Sequence, residues 1–479
     1  MKSGGGGSFI ANKNKSEKEL LEDVSNFLNQ NIPSETRTVW VGFSGGLDST
    51  VLLYLIKQIF KQKKIKKKYL QAIHINHNMQ SEAVQWEQHC QKVCDDLNIS
   101  LIVEQVSSIQ ANGYGLEQAA REERFNLFEK NMEENDVLCL GHHLQDQAET
   151  FLFRAIRGSG LHGLAAMESR KQRGTFVLLK PFLGTDRKTL EMIARKNKLE
   201  WIEDPSNNIN NFDRNFLRNE IFKPIRSRWH DIDSRFANVA DLCREQAGLL
   251  NDLASEDARM VKLSGNNLSI EALQQLSAGR IRNLLTWWFR SENLQIPSRL
   301  RVTEIQQTLS TVKLDGRFEQ SIGPYQLRQS GRQLFLIPTE LSANIQNQLF
   351  EKNMVRKKDY LQLNYSFAGF EIIIELKSKD IGNIPDNSIN IKFGIDQKSI
   401  FFKNHQFHKT IKNIFQENNI PIWLRDKFPC LYYEEVVYAI CGVGNLKQER
   451  QTEALVDLTT TVVVKWGLSG HFKITDKIF

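Results

Sequence analysis

Residues 39–56, VWVGFSGGLDSTVLLYLI, constrain the fold of this 479-residue chain more than any other segment. The β-branched and aromatic run from Val39 to Phe43 predicts a buried strand, and Val51 to Ile56 predicts an apolar helix. Two glycines, two serines and an aspartate therefore occupy the turn from strand to helix. Because the first N–H groups of a helix lack intrahelical partners and carry partial positive charge, this turn favours an anion.

Asp48 narrows the kind of anion that the turn would bind. A carboxylate beside phosphates is favourable chiefly when a divalent cation lies between them, which predicts a magnesium ligand next to a pyrophosphate. Gly45 and Gly46 allow close approach of the backbone and positive φ. The loop has neither the lysine of a Walker-type loop nor the glycine spacing of a dinucleotide site. A tight turn, with Asp48 as an ordinary acid at a helix N-terminus, is the alternative left open.

Strands and helices alternate with short connections as far as residue 182. Strands are predicted at residues 69–77, 101–106, 136–141 and 175–182, and helices at residues 16–30, 82–98, 116–132 and 145–157. This alternation is typical of an α/β fold with a doubly wound parallel sheet. Such sheets bind ligands at the carboxyl ends of their strands, where the glycine loop falls.

The length of the chain predicts about three domains. We expect a flexible tail at residues 1–15, the α/β domain at 16–225, a mostly helical middle domain at 226–345 and a mixed α/β C-terminal domain at 357–479. Helical periodicity dominates from about residue 216 to residue 290, whereas short alternating runs beyond residue 323 predict strands.

Charge and cysteine content limit the class of protein. A net charge of +7 and a sequence pI near 8.9 permit a polyanionic partner. The segment RNFLRNEIFKPIRSRWH, residues 214–230, places aromatic residues among its arginines and is the best nucleic-acid candidate. No apolar run of about 18 residues occurs, so no membrane span is expected. Six cysteines without a C-x-x-C pair disfavour a zinc or iron–sulfur site and predict a cytoplasmic setting.

The segment GLEQAAREERFNLF, residues 115–128, carries two arginines that suit a phosphate. Glu117 and Arg121 are four apart, so one interpretation is a helical ion pair. The other is a phosphate contact from Arg121 or Arg124, because a planar guanidinium grips two phosphoryl oxygens at once. The residues do not decide which of the two arginines makes that contact.

The segment LCLGHHLQDQAETF, residues 138–151, brings two carboxylates and two imidazoles together. Asp146 and Glu149 are three apart, so they project from one face of a helix, beside His142 and His143 at the end of a strand. Such a group can hold a metal ion or a cationic substrate, and the residues alone leave both open.

The string SGGLDS is the signature of the N-type ATP pyrophosphatases, which this chain resembles. It is followed by HINH, LEQAAREERF, GHHLQDQAET, RGSGLHGLAAM, LLKPFLGTDRKTL and WIEDPSNNINNFDRNFLRNEI, in the order and spacing of the tRNA(Ile)-lysidine synthetase family. The likeness covers most of residues 38–225, and IPIWLRDKFPCLYYEEVVYAICGVG, residues 420–444, is similar to the last domain of that family. It implies a catalytic ATP pyrophosphatase domain at 16–225 and a tRNA-binding domain at 357–479.

The resemblance implies an ATP-dependent ligase that modifies an isoleucine tRNA with anticodon CAU. Lysine would be joined to the 2-position of the cytidine at the first anticodon position, through an adenylated base, which changes codon specificity from AUG to AUA. ATP, Mg²⁺, free L-lysine and the tRNA are the implied ligands. A homodimer is left open.

The resemblance also assigns roles to residues. Asp48 and Arg121 are the implied catalytic residues, and Asp48 is also the implied metal ligand. ATP would be bound by Ser44, Gly45, Gly46, Leu47, Asp48, Ser49 and His74. Lysine would be bound by His142, Asp146 and Glu149. The tRNA would be contacted by Arg214, Arg218, Arg425 and Asp426.

Some positions depart from the family pattern, and two rival functions are considered. Asn78, Met79 and Gln80 stand where the family often has Gly-Leu-Arg, and Gln145 precedes Asp146 where the family often has two aspartates. One rival is another adenylating tRNA-modifying or amidating enzyme of the same superfamily, and the other is a non-catalytic RNA-binding protein on that fold. The chain lacks the paired cysteines of thiolation enzymes, and a binding protein has no need of Asp48, Asp146 and Glu149.

Overall fold

The computed structural model describes residues 15–62, 65, 68–76, 83–106, 116–203, 213–263, 267–314, 316–339, 351–357, 359–367, 370–378, 389–394, 399–400, 409–425, 428–433, 436–445, 458–466 and 470–475. The chain forms two compact units, Met1–Gly248 and Leu249–Phe479. The predicted tail at residues 1–15 lies outside the described residues except for its last position. The other predicted domain boundaries stay predictions.

The first unit is built on a six-stranded sheet. Its strands are β1 (Thr38–Gly42), β2 (Tyr69–Asn76), β3 (Ser100–Gln105), β4 (Val137–Cys139), β5 (Arg170–Arg173) and β6 (Phe176–Leu179). The strand order is β3-β2-β1-β4-β6-β5, and every neighbouring pair is parallel except β5 with β6. This confirms the predicted parallel sheet and adds a hairpin at its edge.

Helices of the first unit follow the strands in turn. They are α1 (Glu17–Asn31), α2 (Leu47–Lys61), α3 (Ala83–Asp96), α4 (Leu116–Asn131), α5 (Leu144–Ile156), α6 (Leu161–Leu164), α7 (Arg187–Lys196), α8 (Asp213–Phe216), a π-helix (Leu217–Ile221), α9 (Phe222–Arg228) and α10 (Ile232–Val261), whose last residues belong to the second unit. Ser16 begins α1 with a capping box to Glu19, as its sequence favours.

Both faces of the sheet are buried, as in a doubly wound fold. Val39 and Val41 of β1 belong to a core cluster with α1, α2 and α7, whereas Trp40 belongs to a second cluster with Phe125 of α4. Because alternate residues of a strand point to opposite faces, a run that is apolar throughout has to be covered on both sides.

The second unit begins with helices and continues with antiparallel strands. Its helices are α11 (Ile270–Gln274), α12 (Ala278–Ser291), α13 (Arg299–Thr311), α14 (Ile411–Glu417) and α15 (Ile422–Arg425). A four-stranded sheet of order β7-β10-β9-β8 contains β7 (Leu268–Ser269), β8 (Glu319–Ile322), β9 (Tyr325–Ser330) and β10 (Gln333–Pro338). The middle segment thus joins helices to strands, and β7 and β8 precede residue 323, beyond which the sequence predicts strands.

Three further sheets complete the described part of the second unit. The first, of order β11-β12-β13-β20-β21, contains β11 (Glu351–Lys357), β12 (Tyr360–Phe367), β13 (Phe370–Lys377), β20 (Thr459–Trp466) and β21 (Gly470–Thr475). The second, β14-β17-β18-β19, contains β14 (Ile389–Phe393), β17 (Pro429–Tyr433), β18 (Val436–Ile440) and β19 (Gly444–Asn445), and the third pairs β15 (Ser399–Ile400) with β16 (Lys409–Thr410). Helices and strands together make this a mixed α/β region.

Two bulk features bear on the sequence predictions. Among the described residues, no helix is long and apolar enough to cross a membrane. All six cysteines are free thiols buried in the protein, and Cys90 and Cys94 pack in the core between α3 and the sheet.

Candidate active site

The loop between β1 and α2 is held in one conformation by its own side chains. The Ser44 N–H donates to Ser49 Oγ at 3.2 Å, and Ser49 Oγ donates to the Gly46 carbonyl at 3.0 Å. Gly45 has φ of +79°, and a Cβ there would lie 2.9 Å from Cys90 Sγ. The position therefore requires glycine, because its backbone has a positive φ and a side chain would collide with Cys90.

The N-terminus of α2 is open towards a ligand. Gly46 is its N-cap and provides no side-chain cap, so the first N–H groups of a 15-residue helix keep their donors for other partners. Backbone donors and a helix dipole directed at one point form an anion site. The predicted phosphate loop, residues 44–49, has the form expected of one.

His74 lies beneath this loop. Its ring is buried, and Nδ1 is 2.9 Å from the Phe43 carbonyl oxygen and 3.5 Å from Cys90 Sγ. Burial lowers the pKa of His74, against the opposing effect of the Phe43 carbonyl, so the ring is held neutral. His74 thus supports the loop from below, and its contact with ATP stays a prediction.

Asp48 carries an unused acceptor at the helix N-terminus. Its Oδ1 is buried and has no hydrogen-bond partner, while the side chain as a whole is 31% exposed. No group of three or more His, Cys, Asp or Glu side chains able to hold a metal occurs among the described residues. One carboxylate with an orphaned oxygen suits Mg²⁺, which takes its remaining ligands from phosphates and water.

Gly141 sets how closely the end of β4 approaches α2. A Cβ at this position would lie 3.0 Å from both the carbonyl carbon and the carbonyl oxygen of Asp48. Any larger residue would have to displace the Asp48 backbone by a few tenths of an ångström, so glycine favours the close approach of β4 to the phosphate loop. Gly141 directly precedes the two histidines, but its role was not expected from the sequence.

His143 lies between the phosphate loop and helix α5. Its Nε2 is 3.6 Å from Asp48 Oδ2 and 3.5 Å from Asp146 Oδ2, and its backbone N–H donates to Asp146 Oδ2 at 3.0 Å. Burial disfavours the imidazolium, but Asp146 and Asp48 outweigh that effect and raise the pKa of His143. The imidazole thus joins the two halves of the site electrostatically.

His142 has a different electrostatic environment. Its Nδ1 is buried without a partner among the described residues. Burial lowers the pKa of the ring, Asp146 opposes that effect, and Lys180 and Arg124 add to it. The family resemblance predicts that His142 binds lysine. The structure places His143 Nε2 within 3.6 Å of Asp48 and Asp146, so His143 is a further candidate, and the role of His142 stays a prediction.

Asp146 and Glu149 share one cation of the protein itself. Arg218 Nε lies 3.1 Å from each carboxylate oxygen of Glu149, and Arg218 Nη2 lies 2.7 Å from Glu149 Oε2 and 2.9 Å from Asp146 Oδ1. Although burial opposes ionisation of Asp146, the neighbouring histidines and Arg218 lower its pKa. The two carboxylates therefore form a cation site, and in this structure a guanidinium fills it.

Arg218 belongs to the π-helical turn Leu217–Ile221. Such turns are rare and frequently occur at functional sites. From the next helix, Arg226 Nη2 reaches Glu149 Oε1 at 3.4 Å and Asp233 Oδ1 at 2.8 Å. Arg226 and Asp233 were not expected from the sequence, because only the fold brings them to α5.

The remaining predicted residues lie in several places. Arg121 is half-buried on α4, with its guanidinium carbon 5.3 Å from the Phe125 ring. Arg214 is half-buried in α8. Arg425 Nε donates to the Ile420 carbonyl at 3.1 Å, and Asp426 lies outside the described residues. Their roles stay predictions.

The positions that depart from the family pattern can be placed in part. Gln145 Oε1 accepts from the Arg187 N–H at 3.0 Å, so this side chain fixes the start of α7. Asn78 and Gln80 lie outside the described residues. Of the two positions where the family often has aspartates, 145 and 146, this chain keeps the acid at Asp146, which lies 3.5 Å from His143 Nε2.

Family models match three parts of the chain. A PP-loop domain matches residues 14–225, a TilS substrate binding domain matches residues 268–335, and a TilS substrate C-terminal domain matches residues 389–458. The first of these contains the phosphate loop, both histidines, the acidic pair and Arg218, and it ends one residue before Arg226. The other two fall in the second unit.

Curated relatives match nearly the whole chain. The chain is 34% identical to tRNA(Ile)-lysidine synthase of Photorhabdus laumondii over 89% of its own length and 94% of that protein. It is 33% identical to the enzyme of that name from Histophilus somni strain 129Pt, over 88% of this chain and 98% of the relative. Among solved structures, U34-tRNA thiolase NcsA from Methanococcus maripaludis is similar at 17% identity and a TM-score of 0.38, over 48% of this chain and 81% of that one.

The motifs in the first unit, the three matched domains and the shared length of the relatives agree with one another. A phosphate loop with an open helix N-terminus and an acidic cation site occur in one domain, followed by both substrate domains of a single enzyme family. The chain belongs to the tRNA(Ile)-lysidine synthase family.

Proposed function

We propose that this protein joins free L-lysine to the cytidine at the first anticodon position of isoleucine tRNA(CAU), with conversion of ATP to AMP and pyrophosphate. The relatives that match nearly its full length carry the name of this activity. The PP-loop domain supports ATP as the substrate that activates the base. The product pairs with A in place of G, so the tRNA would read AUA.

One observation carries the proposal, namely that a single imidazole joins an anion site to a cation site. His143 Nε2 lies 3.6 Å from Asp48 at the phosphate loop and 3.5 Å from Asp146 at the acidic pair. A ligase that activates one substrate with ATP and attacks it with an amine needs these two sites side by side. Holding both reactants in one geometry supplies a large part of the rate enhancement.

In the first step, the 2-oxygen of cytidine attacks the α-phosphorus of ATP, and pyrophosphate leaves. The N–H groups at the start of α2 and the serines of the loop would hold the leaving phosphates. Asp48 is the residue that would hold Mg²⁺, which when bound spreads the negative charge of pyrophosphate. Arg121 would neutralise the α-phosphoryl group.

In the second step, the ε-amine of lysine attacks carbon 2 of the base after losing a proton, and AMP leaves with the former 2-oxygen. Asp146 and Glu149 would hold the side-chain ammonium before it reacts. Glu149 is only 7% exposed. An uncharged amino acid bound in the place of lysine would therefore offer this buried carboxylate no charged partner. This favours lysine over uncharged amino acids.

Arg218 holds the same two carboxylates, so lysine has to displace it or share them. Its guanidinium is 38% exposed, which gives it a path outwards. The earlier prediction that Arg218 contacts tRNA is compatible with such a movement.

We further infer a cytoplasmic location and leave homodimerisation as a prediction.

The test is lysine transfer by the purified protein with ATP, Mg²⁺ and radiolabelled lysine. Isoleucine tRNA(CAU) transcript is compared with methionine tRNA(CAU), and Asp48→Asn is the inactive control. Label in the isoleucine tRNA only, with one AMP formed per lysine, supports the proposal. Pyrophosphate release without lysine transfer would instead indicate another adenylating enzyme of the superfamily.

A further inference from the structure

Three guanidinium groups surround one aromatic ring in the first unit. The guanidinium carbons of Arg121, Arg124 and Arg173 lie 5.3, 5.8 and 4.0 Å from the centroid of the Phe125 ring. Arg121 and Arg124 come from α4, and Arg173 comes from the edge strand β5. Phe125 is buried, so the ring fixes three cations close to one point.

Among the residues that the structure describes, these half-buried arginines have fewer partners than such guanidinium groups usually have. In the described part of the chain, no carboxylate or carbonyl accepts a hydrogen bond from any of the three, and the Nε atoms of Arg124 and Arg173 are buried without a partner. Arg244 offers a comparison, because its Nε is also unpaired but its Nη2 donates to the Ala165 and Met167 carbonyls. The three arginines thus leave donors unused that an anion would satisfy.

The charge around Phe125 is strongly positive. Burial lowers the pKa of Arg121 to about 10, and the neighbouring cations Arg124, Arg214 and Arg173 add to the effect. Burial likewise lowers the pKa of Lys180 to about 8, with a contribution from Arg121. Cations crowded in this way repel one another until a negative ligand binds.

We propose that Arg124 and Arg173, beside Arg121, form a binding site for a phosphate group, supplied by the RNA backbone next to the target cytidine, while Arg121 keeps its role at the α-phosphoryl group. This rests on the proposed function and adds Arg124 and Arg173 to its binding residues. Planar guanidinium groups donate in pairs to phosphoryl oxygens. The strand β5 favours RNA as the source, because Arg170 and Lys171 continue the positive charge along an exposed edge. A phosphate of ATP has the same chemistry and is the second source to be tested.

The experiment compares Arg124→Gln and Arg173→Gln with the unchanged full chain. Arg195→Gln serves as the matched control, because Arg195 is an exposed residue of α7 paired only with Glu191 among the described residues. The probes are a labelled anticodon stem-loop of isoleucine tRNA(CAU) and, separately, ATP. Binding of each is measured without turnover, and RNA binding is repeated over a series of salt concentrations.

We expect each glutamine variant to bind the RNA about tenfold more weakly, as for loss of one charge-assisted hydrogen bond. The slope of log K against log salt should decrease in magnitude by about 0.7, the value for one phosphate of a single strand. The control should change neither. A fall in ATP affinity with unchanged RNA binding would keep the phosphate site and assign it to the nucleotide. Unchanged binding of both probes would overturn the inference.

Folding is checked with thermal unfolding and with Arg173→Lys, which keeps the charge but loses the planar donor pair. Intermediate RNA affinity in the Arg173→Lys variant supports phosphate binding by a planar guanidinium. Full RNA affinity would show that only the positive charge at position 173 matters, which would contradict the proposed geometry. The binding assays do not depend on catalysis. Failure of lysine transfer with intact, arginine-dependent RNA binding would therefore refute the proposed function and leave this inference standing.

Discussion

Replacement of Arg218 by alanine should make lysine bind more tightly to the free enzyme. Arg218 donates to both oxygens of Glu149 and to Asp146 Oδ1, at distances between 2.7 and 3.1 Å. An incoming ammonium group has to compete with this guanidinium for the same oxygens. Removing Arg218 takes away the closest cation of the two acidic side chains, so the ammonium group of lysine can take its place without competition from Arg218.

The size of the effect follows from the burial of the two partners. An exposed ion pair contributes about 0–1 kcal/mol, and loss of one partner of a buried pair costs about 3–5 kcal/mol. Glu149 is 7% exposed and Arg218 is 38% exposed, which places this pair between those limits, at about 2 kcal/mol. Arg226 keeps one contact with Glu149 at 3.4 Å, so part of that energy is retained. We therefore expect the KM for lysine to fall about tenfold, equivalent to about 1.4 kcal/mol.

The assay is lysine-dependent AMP formation with saturating ATP and isoleucine tRNA(CAU), supported by calorimetric titration of lysine, because KM equals Kd only when chemistry is slow. Arg157→Ala is the matched control, since Arg157 forms an exposed ion pair with Asp213 in the same unit. Glu149→Gln should have the opposite effect and raise the KM for lysine. A higher KM for lysine in Arg218→Ala, with unchanged KM for ATP, would refute the reasoning, because Arg218 would then bind the substrate.

Three further predictions concern the phosphate loop and its surroundings. Asp48→Asn should reduce lysine transfer about a hundredfold or more, since one carboxylate is the protein ligand proposed for the metal; a rate within twofold of the unchanged enzyme, measured as AMP formed, would contradict this. Gly141→Ala should lower the free energy of unfolding in urea by about 1–3 kcal/mol and raise the KM for ATP, because the new Cβ would lie 3.0 Å from the Asp48 carbonyl carbon. An unchanged free energy of unfolding and an unchanged KM would show that Gly141 does not set the position of the phosphate loop. Burial lowers the pKa of Lys180 to about 8, so between about pH 8 and the unfolded value near 10.4 the unfolded chain binds the extra proton. The free energy of unfolding should therefore rise with pH in that range relative to Lys180→Met, and parallel urea-unfolding curves of the two proteins would contradict it.

The parallel sheet was predictable because its signals are local. Each strand of the first unit that lies between two layers of helices is a short apolar run, and the glycine loop follows β1 directly. By contrast, the hairpin strand β5 has the sequence RKQR, which shows no apolar alternation. It is a strand because its backbone pairs with β6, and tertiary pairing of this kind overrides local preference.

The acidic pair was predictable from helical spacing, but its partner was not. Asp146 and Glu149 are three apart, so their common face follows from the helix alone. Arg218 is 69 positions from Glu149, and no periodicity connects them. The basic segment 214–230 predicted RNA contacts from composition, yet two of its arginines point to carboxylates of the first unit. Composition registers charge but not the direction in which a side chain points.

The two adjacent histidines show why geometry is needed to assign chemistry. Both follow β4 directly, so sequence gives no reason to prefer either, although in the structure His143 is buried and His142 is half-buried. At His143 two carboxylates lie within 3.6 Å and raise the pKa against the effect of burial. At His142 burial, Lys180 and Arg124 lower the pKa and outweigh the opposing effect of Asp146. His143 thus lies at the carboxylates, whereas His142 is influenced both by Asp146 and by the cations Lys180, Arg124 and Arg121. A region that suits ammonium and a region that suits phosphate therefore meet at these two neighbouring residues, which is the proximity that a lysine-to-nucleotide ligase requires.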